Sequence, residues 1–452
     1  MRFAKLFIVV FYLYSISCNS NSIKTRGSNI TPIPNLPLYG SDTSSPFVKY
    51  VPDYNKKLQK KIFKLDDLIS GYKDDKLNQK YLRAVARMYP KVVRYYHIGR
   101  TRNDRPIPAL RITAPTGKMD EKVSILFDGA HHANELLSTE HCYDILYNLL
   151  SDYEKYRKYL RYVVIWIVPI VNPDGSNSFW HKSIGTGRKN GYTNSSKPNN
   201  IYYDGVDLNR NYPFRWGSGI PKASSADANS AYFRGLQPAS EPETKAMMKL
   251  AKIERFVASV SFHQYASCIL YPYTIPDAKN PEPDYAKDLA IRLANLVTVY
   301  RENKKFIALK NIYAVDGVDQ DYFYNKYGTL AYIIESTHHN VDYRDTRTIL
   351  SGFKPLWERL IRESIIGKKI FLKIMDVNTK KAVSARVKID EIQFFEKEKP
   401  RSNPKNGLFY WLVKERKEYH LKISKKGYYA RYILYKALTS REPQVIYLNL
   451  KK

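Results

Sequence analysis

The stretch FDGAHHANELLSTE, Phe127 to Glu140, places His132 and Glu135 three residues apart, directly after the apolar run VSILFDGA. An imidazole and a carboxylate at that spacing can share a metal ion, and zinc accepts both kinds of donor. The same residues could decorate a helix start, and a lone histidine there could be a satisfied core residue. His131 is a rival donor, four residues before Glu135 on the strand side of the turn. Three further segments set polar residues beside apolar runs: GVDLNRNY (205–212), SFHQY (261–265) and YIIES (332–336). Strand ends and the loops after them are where α/β sheets build their sites. His132, Glu135 and His263, taken from separate strand ends, make a three-donor set with a fourth position open to water, the arrangement of a catalytic zinc site. Zinc brings the pKa of such a water to about 7. Glu335 lies in an apolar strand, where an unpartnered carboxylate is costly.

The elements that must hold these residues can be read from periodicity. From Lys56 two helical patterns appear, KKLQKKIFKLDDLIS and NQKYLRAVARMY, followed by strand-like KVVRYYHIG, PALRITA and KVSILFDGA. A helix is expected from Asn134 to about Leu150, with Leu136, Leu137, Ile145, Leu149 and Leu150 on one broad apolar face. RYVVIWIVPIVN reads as a buried strand, ended by turn chemistry at VNPDG. The polar stretch from about Ser176 to Gly235 reads as a long loop, a length that usually signals function. SEPE (240–243) has the form of a capping box for the helix TKAMMKLAKIE. A strand at FVASVSFHQ, a helix at DYAKDLAIRLANLVTVY, a strand at TLAYIIES and a closing helix at KPLWERLIRESII complete the pattern. Strands alternating with helices predict an α/β domain with a mostly parallel central sheet flanked by helices. After Gly367 short alternating strands take over, predicting a small antiparallel β-sandwich.

Taken together and in this order, the motifs resemble those of the zinc metallocarboxypeptidases of the carboxypeptidase A/B/T type, over about residues 56–366. GAHHANE is similar to the family's first zinc motif, which implies His132 and Glu135 as ligands. SFHQY followed by ILYPY is similar to the segment of the third ligand, His263, with Tyr265 beside it. The resemblance implies one Zn2+ per chain. GVDLNRNYPFRWG is similar to the Asn-Arg pair that binds a substrate's terminal carboxylate, implying Asn209 and Arg210. YIIES matches the strand of the general base, Glu335, and Tyr313 precedes it by the spacing of the family's mobile tyrosine.

The chemistry of the side chains agrees. Arginine grips a carboxylate with two parallel charged hydrogen bonds, which lysine cannot match. A grip on the free C-terminus defines an exopeptidase acting on peptide or protein C-termini; the alternatives are an amidase that trims cell-wall stem peptides with the same zinc site and a non-catalytic envelope binding protein. The family's oxyanion arginine lies in a W-R-K-N-like stretch. Here that stretch reads SFWHKSIGTGRKN, which makes Arg188 the expected cation and Lys182 its rival. Asn134 stands before Glu135 where digestive members carry Arg and regulatory members Asn. Gln320, seven residues after Tyr313, occupies the position at the base of the pocket for the C-terminal side chain. An unpartnered amide there should disfavour purely apolar residues and favour Lys, Arg or other polar ones. The region 367–452 resembles the transthyretin-like or regulatory-like sandwich that follows the catalytic domain in other branches of the family.

The chain's 452 residues carry 74 Lys and Arg against 43 Asp and Glu, a formal charge of +31. Such a surface attracts anionic lipid or acidic polymers, or is simply solvated. No Lys/Arg run interleaved with aromatics of the kind a nucleic-acid groove needs is present, so no nucleic-acid partner is expected. Residues 1–18, MRFAKLFIVVFYLYSISC, read as a signal peptide, with Cys18 placed as in a relaxed bacterial lipoprotein box. Export to a bacterial envelope, with a lipid tether on Cys18 as one form of it, is the expectation. Residues 19–55 read as a Ser-, Asn- and Pro-rich linker, too short for an activation domain. Cys142 and Cys268 lie in apolar patterns and are expected as buried thiols.

Overall fold

The computed structural model describes residues 63–115, 121–181, 186–191, 205–415 and 417–451. The leader, the linker, Cys18 and Lys182 lie outside the described residues. The Val- and Ile-rich runs form the middle of one sheet. Its strands are β1 (Val93–Arg100), β2 (Pro106–Ile112), β3 (Val123–Gly129), β4 (Val163–Val168), β5 (Ala258–His263), β6 (Cys268–Leu270), β7 (Ile307–Leu309) and β8 (Leu330–Glu335). The order is β1-β2-β4-β3-β5-β8-β6-β7. The central four, β4-β3-β5-β8, run parallel, while β2 meets β4 and β6 meets β8 antiparallel. Every residue of β3, β4 and β5 is buried, because helices cover both faces, and the alternation of an exposed strand is absent for that reason. A parallel centre also brings the C-terminal ends of β3, β5 and β8 to one edge.

Among the described residues eight α-helices flank the sheet: α1 (Asp75–Met88), α2 (Leu136–Ser151), α3 (Tyr153–Leu160), α4 (Pro173–His181), α5 (Pro242–Glu254), α6 (Tyr285–Ala294), α7 (Asp319–Tyr327) and α8 (Tyr343–Ile366). Ile125 and Phe127 of β3 face the core shared with α2, α6 and α8, whereas Leu126 faces the core shared with α5 and α7.

Several local expectations are corrected. Residues 65–69 form a short 3-10 turn in place of the end of a long helix. Pro173-Asp174-Gly175 opens α4, where a turn was expected. Asn172 caps that helix, its Oδ1 accepting from Gly175 N at 2.7 Å, and Pro173 needs no donor at a first helical turn. The SEPE box does not form. Glu241 is the residue before α5 and makes no side-chain cap, and Ser240 Oγ donates to Glu241 Oε1 instead. α8 begins eleven residues earlier than the KPLWERLIRESII segment, capped by Asp342, and runs through Pro355 because Ile349, Leu350 and Phe353 continue its buried face.

Residues beyond Gly367 form β9 (Lys369–Asp376), β10 (Arg386–Ile389), β11 (Leu408–Leu412), β12 (Glu418–Ser424), β13 (Arg431–Lys436) and β14 (Gln444–Leu448). They make two three-stranded sheets, β10-β12-β13 and β11-β9-β14, over a common core that includes Leu372, Val387, Ile423 and Ile446. The pairs are antiparallel except β14 beside β9. The β11-β9-β14 sheet turns its other face to the first domain: Phe371, Leu408 and Leu412 belong to that domain's core, and Tyr410 OH donates to Ser364 O at 2.8 Å.

Lys73 and Glu140 form an ion pair in which neither side chain is more than 1% exposed. Burial pushes the Glu140 carboxyl up to about 7 against the pull of Lys73. Removing one member of such a pair strands the other. Lys73→Met is therefore expected to cost about 3–5 kcal/mol of stability, read as a lower urea midpoint, and adding Glu140→Leu should restore most of it.

Candidate metal site and substrate cleft

Each candidate ligand sits where a parallel strand ends. His132 and Glu135 lie in the turn between β3 and α2, and His263 is the last residue of β5. α2 can approach β3 this closely because residue 129 is glycine: a Cβ there would lie 2.3 Å from Ser138 O. Glu135 is the residue before α2 and caps nothing, so its carboxylate is free for the site. Its two oxygens meet two imidazoles, His132 Nδ1 at 2.8 Å and His263 Nδ1 at 2.9 Å. Donor atoms of the three residues lie within 4.8 Å of one another, and all three are buried. Burial raises the Glu135 carboxyl, but the charge and hydrogen bonds of the imidazoles outweigh it and hold the group well below the usual range. Two imidazole nitrogens turned toward one carboxylate fit the mixed nitrogen and oxygen set that zinc prefers.

The neighbours of the three donors are equally ordered. His132 Nε2 contacts Asp207 Oδ1 at 3.0 Å, which fixes the ring with Nδ1 toward the site. Asp207 Oδ2 accepts from Arg188 Nη2 at 2.7 Å. Gln264 N donates to Glu135 Oε2 at 3.0 Å, while Gln264 Oε1 accepts from Leu137 N at 2.7 Å. Sequence reasoning passed over Asp207 and Gln264. The signal for Asp207 was its place two residues before Asn209 in the same motif. The rival donor His131 does not join the set: it bonds Tyr212 OH at 2.9 Å and lies near Asp128, behind His263. Asp207→Asn is expected to weaken zinc binding about 10–100-fold, since it loses the charge that orients His132, and competition with a chelating dye would measure it.

Glu335 ends β8 and is the register partner of His263 across the β5–β8 pair. Its Oε2 is buried and has no hydrogen-bond partner among the described residues. Burial, and then the Glu135 charge, push its carboxyl well above the usual range.

Asn209 and Arg210 lie in a 3-10 turn, Leu208–Arg210, capped by Asp207. Asn209 Oδ1 accepts from Asp319 N at 3.1 Å. Arg210 is buried, its Nε given to Ala223 O at 3.1 Å and Nη1 to Asn209 O at 2.8 Å, with Nη2 3.4 Å from Tyr313 OH. Gly317, at φ 65°, lets the 313–317 segment pass over this turn, since a Cβ there would lie 2.3 Å from Arg210 O. Tyr313 and Tyr265 are both about half exposed. Tyr265, at φ 90°, holds its OH 3.2 Å from Asn134 Nδ2. Arg188 thus reaches His132 through Asp207, Tyr265 stands at Asn134 beside Glu135, and Arg210, with Tyr313 next to it, shares the ring of Tyr232 with Arg188. Gln320 lies in the first turn of α7, fully buried, with neither amide atom partnered among the described residues.

Fold and donor set together put a buried, zinc-compatible site at the edge where parallel strands end. The sequence profile of the zinc carboxypeptidase family matches residues 78–359, and the chain belongs to that family. A metallocarboxypeptidase A of Trichophyton tonsurans is 32% identical over 218 residues, covering 45% of this chain and 48% of that protein. Human mast cell carboxypeptidase A is 30% identical over 251 residues, 52% of this chain and 56% of that protein. The matched region thus spans about half the length of these relatives. Among solved structures, bovine thrombin-activatable fibrinolysis inhibitor in complex with tick carboxypeptidase inhibitor superposes with a TM-score of 0.56 at 21% identity, over 64% of this chain and 96% of that one. Carboxypeptidase A from Helicoverpa armigera gives 0.56 at 22%, over 66% and 73%. These two likenesses establish the fold.

Proposed function

We propose that the protein is a zinc-dependent carboxypeptidase that hydrolyses the last peptide bond of peptides or proteins, with one zinc ion per chain. The observation that carries this reading is the convergence of His132, Glu135 and His263 at the strand edge that also presents Glu335. When bound, zinc supplies a Lewis acid for the scissile carbonyl and lowers the pKa of water. Arg210 holds the substrate's terminal carboxylate through its guanidinium, with Asn209 fixing the turn that aims it. Glu335 takes a proton from the attacking water and delivers it to the leaving amine nitrogen. Arg188 supplies positive charge beside the developing oxyanion, placed there by Asp207. Tyr313 closes over the bound end of the peptide.

Gln320 sets the preference for the terminal side chain. Its buried, unpartnered amide supports a pocket that rewards a hydrogen-bonding residue over a purely apolar one. Asp321 next to it is engaged internally, accepting from Thr274 Oγ1 at 2.8 Å. Residues 367–452 act as a transthyretin-like accessory domain. The leader directs export to a bacterial envelope, with Cys18 as the site of a lipid tether. Among the described residues no helix is long and apolar enough to cross a membrane.

Peptides ending in Lys, Arg, Gln, Leu and Phe, assayed before and after zinc removal, test the whole reading. Turnover should release single C-terminal residues, disappear with chelation and return with zinc. Lys, Arg or Gln should lead. Internal cleavage would refute the exopeptidase assignment, and a clear lead for Phe or Leu would refute the role of Gln320.

A further inference from the structure

The outer side of the C-terminal domain carries a feature that peptide hydrolysis does not use. From Tyr419 through Arg441 the chain has six Lys and Arg, Arg441 included, and no Asp or Glu. The tip of the β12–β13 hairpin, Lys425-Lys426-Gly427, is exposed, and Gly427 turns it at φ 83°. The end of the chain folds against this tip: Lys451 N donates to Gly427 O and Tyr429 N to Asn449 O, both at 2.9 Å. Arg431 Nη1 donates to Tyr447 O at 3.0 Å. Lys425, Lys426 and Lys451 therefore share one corner with Tyr429 and Tyr447.

Three exposed tyrosines in this region each meet a lysine. Lys451 Nζ is 6.0 Å from the Tyr429 ring, Lys422 Nζ 5.1 Å from Tyr432, and Lys380 Nζ 4.4 Å from Tyr447. Tyr432, 69% exposed, and Leu434, 54% exposed, point outward from the same face of β13, and Leu450, 46% exposed, lies beside the hairpin tip. The opposite sheet is covered by the first domain, so this face and tip are what the domain presents outward.

We propose that this corner docks the C-terminal domain on an anionic bilayer surface. Lysines at a hairpin tip are drawn to anionic headgroups. Tyrosine, apolar in body and polar at its hydroxyl, sits stably at headgroup depth. The aliphatic side chains decide between anionic partners. Leu434 and Leu450 have no task on a polysaccharide or a nucleic acid, but at a bilayer they enter the acyl boundary. The inference is independent of the peptidase chemistry.

Full-length protein mixed with vesicles of phosphatidylglycerol and phosphatidylcholine, or of phosphatidylcholine alone, gives the test. Tyr429→Trp reports the corner itself, because brominated acyl chains quench its added fluorescence only where residue 429 enters the interface, however the rest of the chain is held. The added signal should be quenched by brominated anionic vesicles, not by neutral ones, and should recover at about 0.5 M salt. Lys425→Ala, Lys426→Ala and Lys451→Ala together should weaken this docking about a hundredfold, at unchanged peptidase activity. Absence of quenching on anionic vesicles, equal quenching on neutral ones, or an unaffected triple variant would overturn the proposal. So would retention on an anionic polysaccharide without any vesicle signal.

Discussion

Glu335→Gln is expected to bind zinc as the native chain does and to hydrolyse peptides about 10^3-fold more slowly, within the range for loss of a general base. The two side chains are nearly the same size, so packing around β8 should hold. What changes is the ability to accept a proton. Glu335 is buried at a strand end, opposite His263, with one oxygen that nothing among the described residues satisfies. An arrangement so costly for a carboxylate is explained if that oxygen has a task in the reaction. The decisive readout is a pair: zinc content at native level and kcat reduced at constant zinc. Turnover near the native rate would remove Glu335 as the base. Loss of zinc would mean that it helps to hold the ion.

Arg210→Met should lower kcat/KM for free-acid peptides by about 10^2–10^3, the loss expected when a buried charge pair forfeits one member. Arg210 gives one N–H to Ala223 O and another to Asn209 O, which leaves donors on both terminal nitrogens for a carboxylate. The discriminating substrate is the same peptide with an amidated C-terminus. Native protein should strongly prefer the acid, and the variant should lose that preference, whereas a merely loosened fold would slow both substrates alike. Arg210→Lys should recover only part of the preference, because an ammonium cannot form two parallel hydrogen bonds. An intact preference in the Met variant would place carboxylate recognition elsewhere.

The donor set was legible because strand ends announce themselves. The apolar runs at 258–263 and 330–335 stop at His263 and Glu335, the run at 123–129 leads within three residues to His132, and parallel pairing then brings His132, Glu135, His263 and Glu335 to one edge. What the residues around them do was less legible. Asp207 looked like one polar residue in a polar motif, and only the fold shows it backing His132 on one oxygen and receiving Arg188 on the other. Local chemistry misled where tertiary contacts took over. Asn172 and a buried face turned an apparent turn into α4, and the Ser240 hydroxyl that a capping box would have needed instead donates to Glu241 and accepts from Asn211. Pro355 gives no hint that its helix continues, since burial of Phe353, Leu356 and Trp357 offsets the lost backbone bond.

The segment joining the two domains' cleft-side loops has a consequence for anyone who would divide this chain. Gln393 exchanges backbone hydrogen bonds with Glu282, Glu396 accepts from Arg215 at 2.6 Å, and Glu398 accepts from Tyr273 OH at 2.6 Å. Tyr273 precedes Thr274, which grips Asp321 beside Gln320. Gly328, the residue after α7, packs so closely on the second domain that a Cβ there would lie 2.3 Å from the Trp411 ring. A shortened gene ending at Gly367 would therefore cut through a shared interior, depriving Tyr273 of Glu398 and Arg215 of Glu396 and loosening the support of the Thr274–Asp321 contact. Transplanting the first domain alone onto another scaffold would meet the same difficulty, and directed evolution around Gln320 would have to select partners on both sides of residue 367 at once.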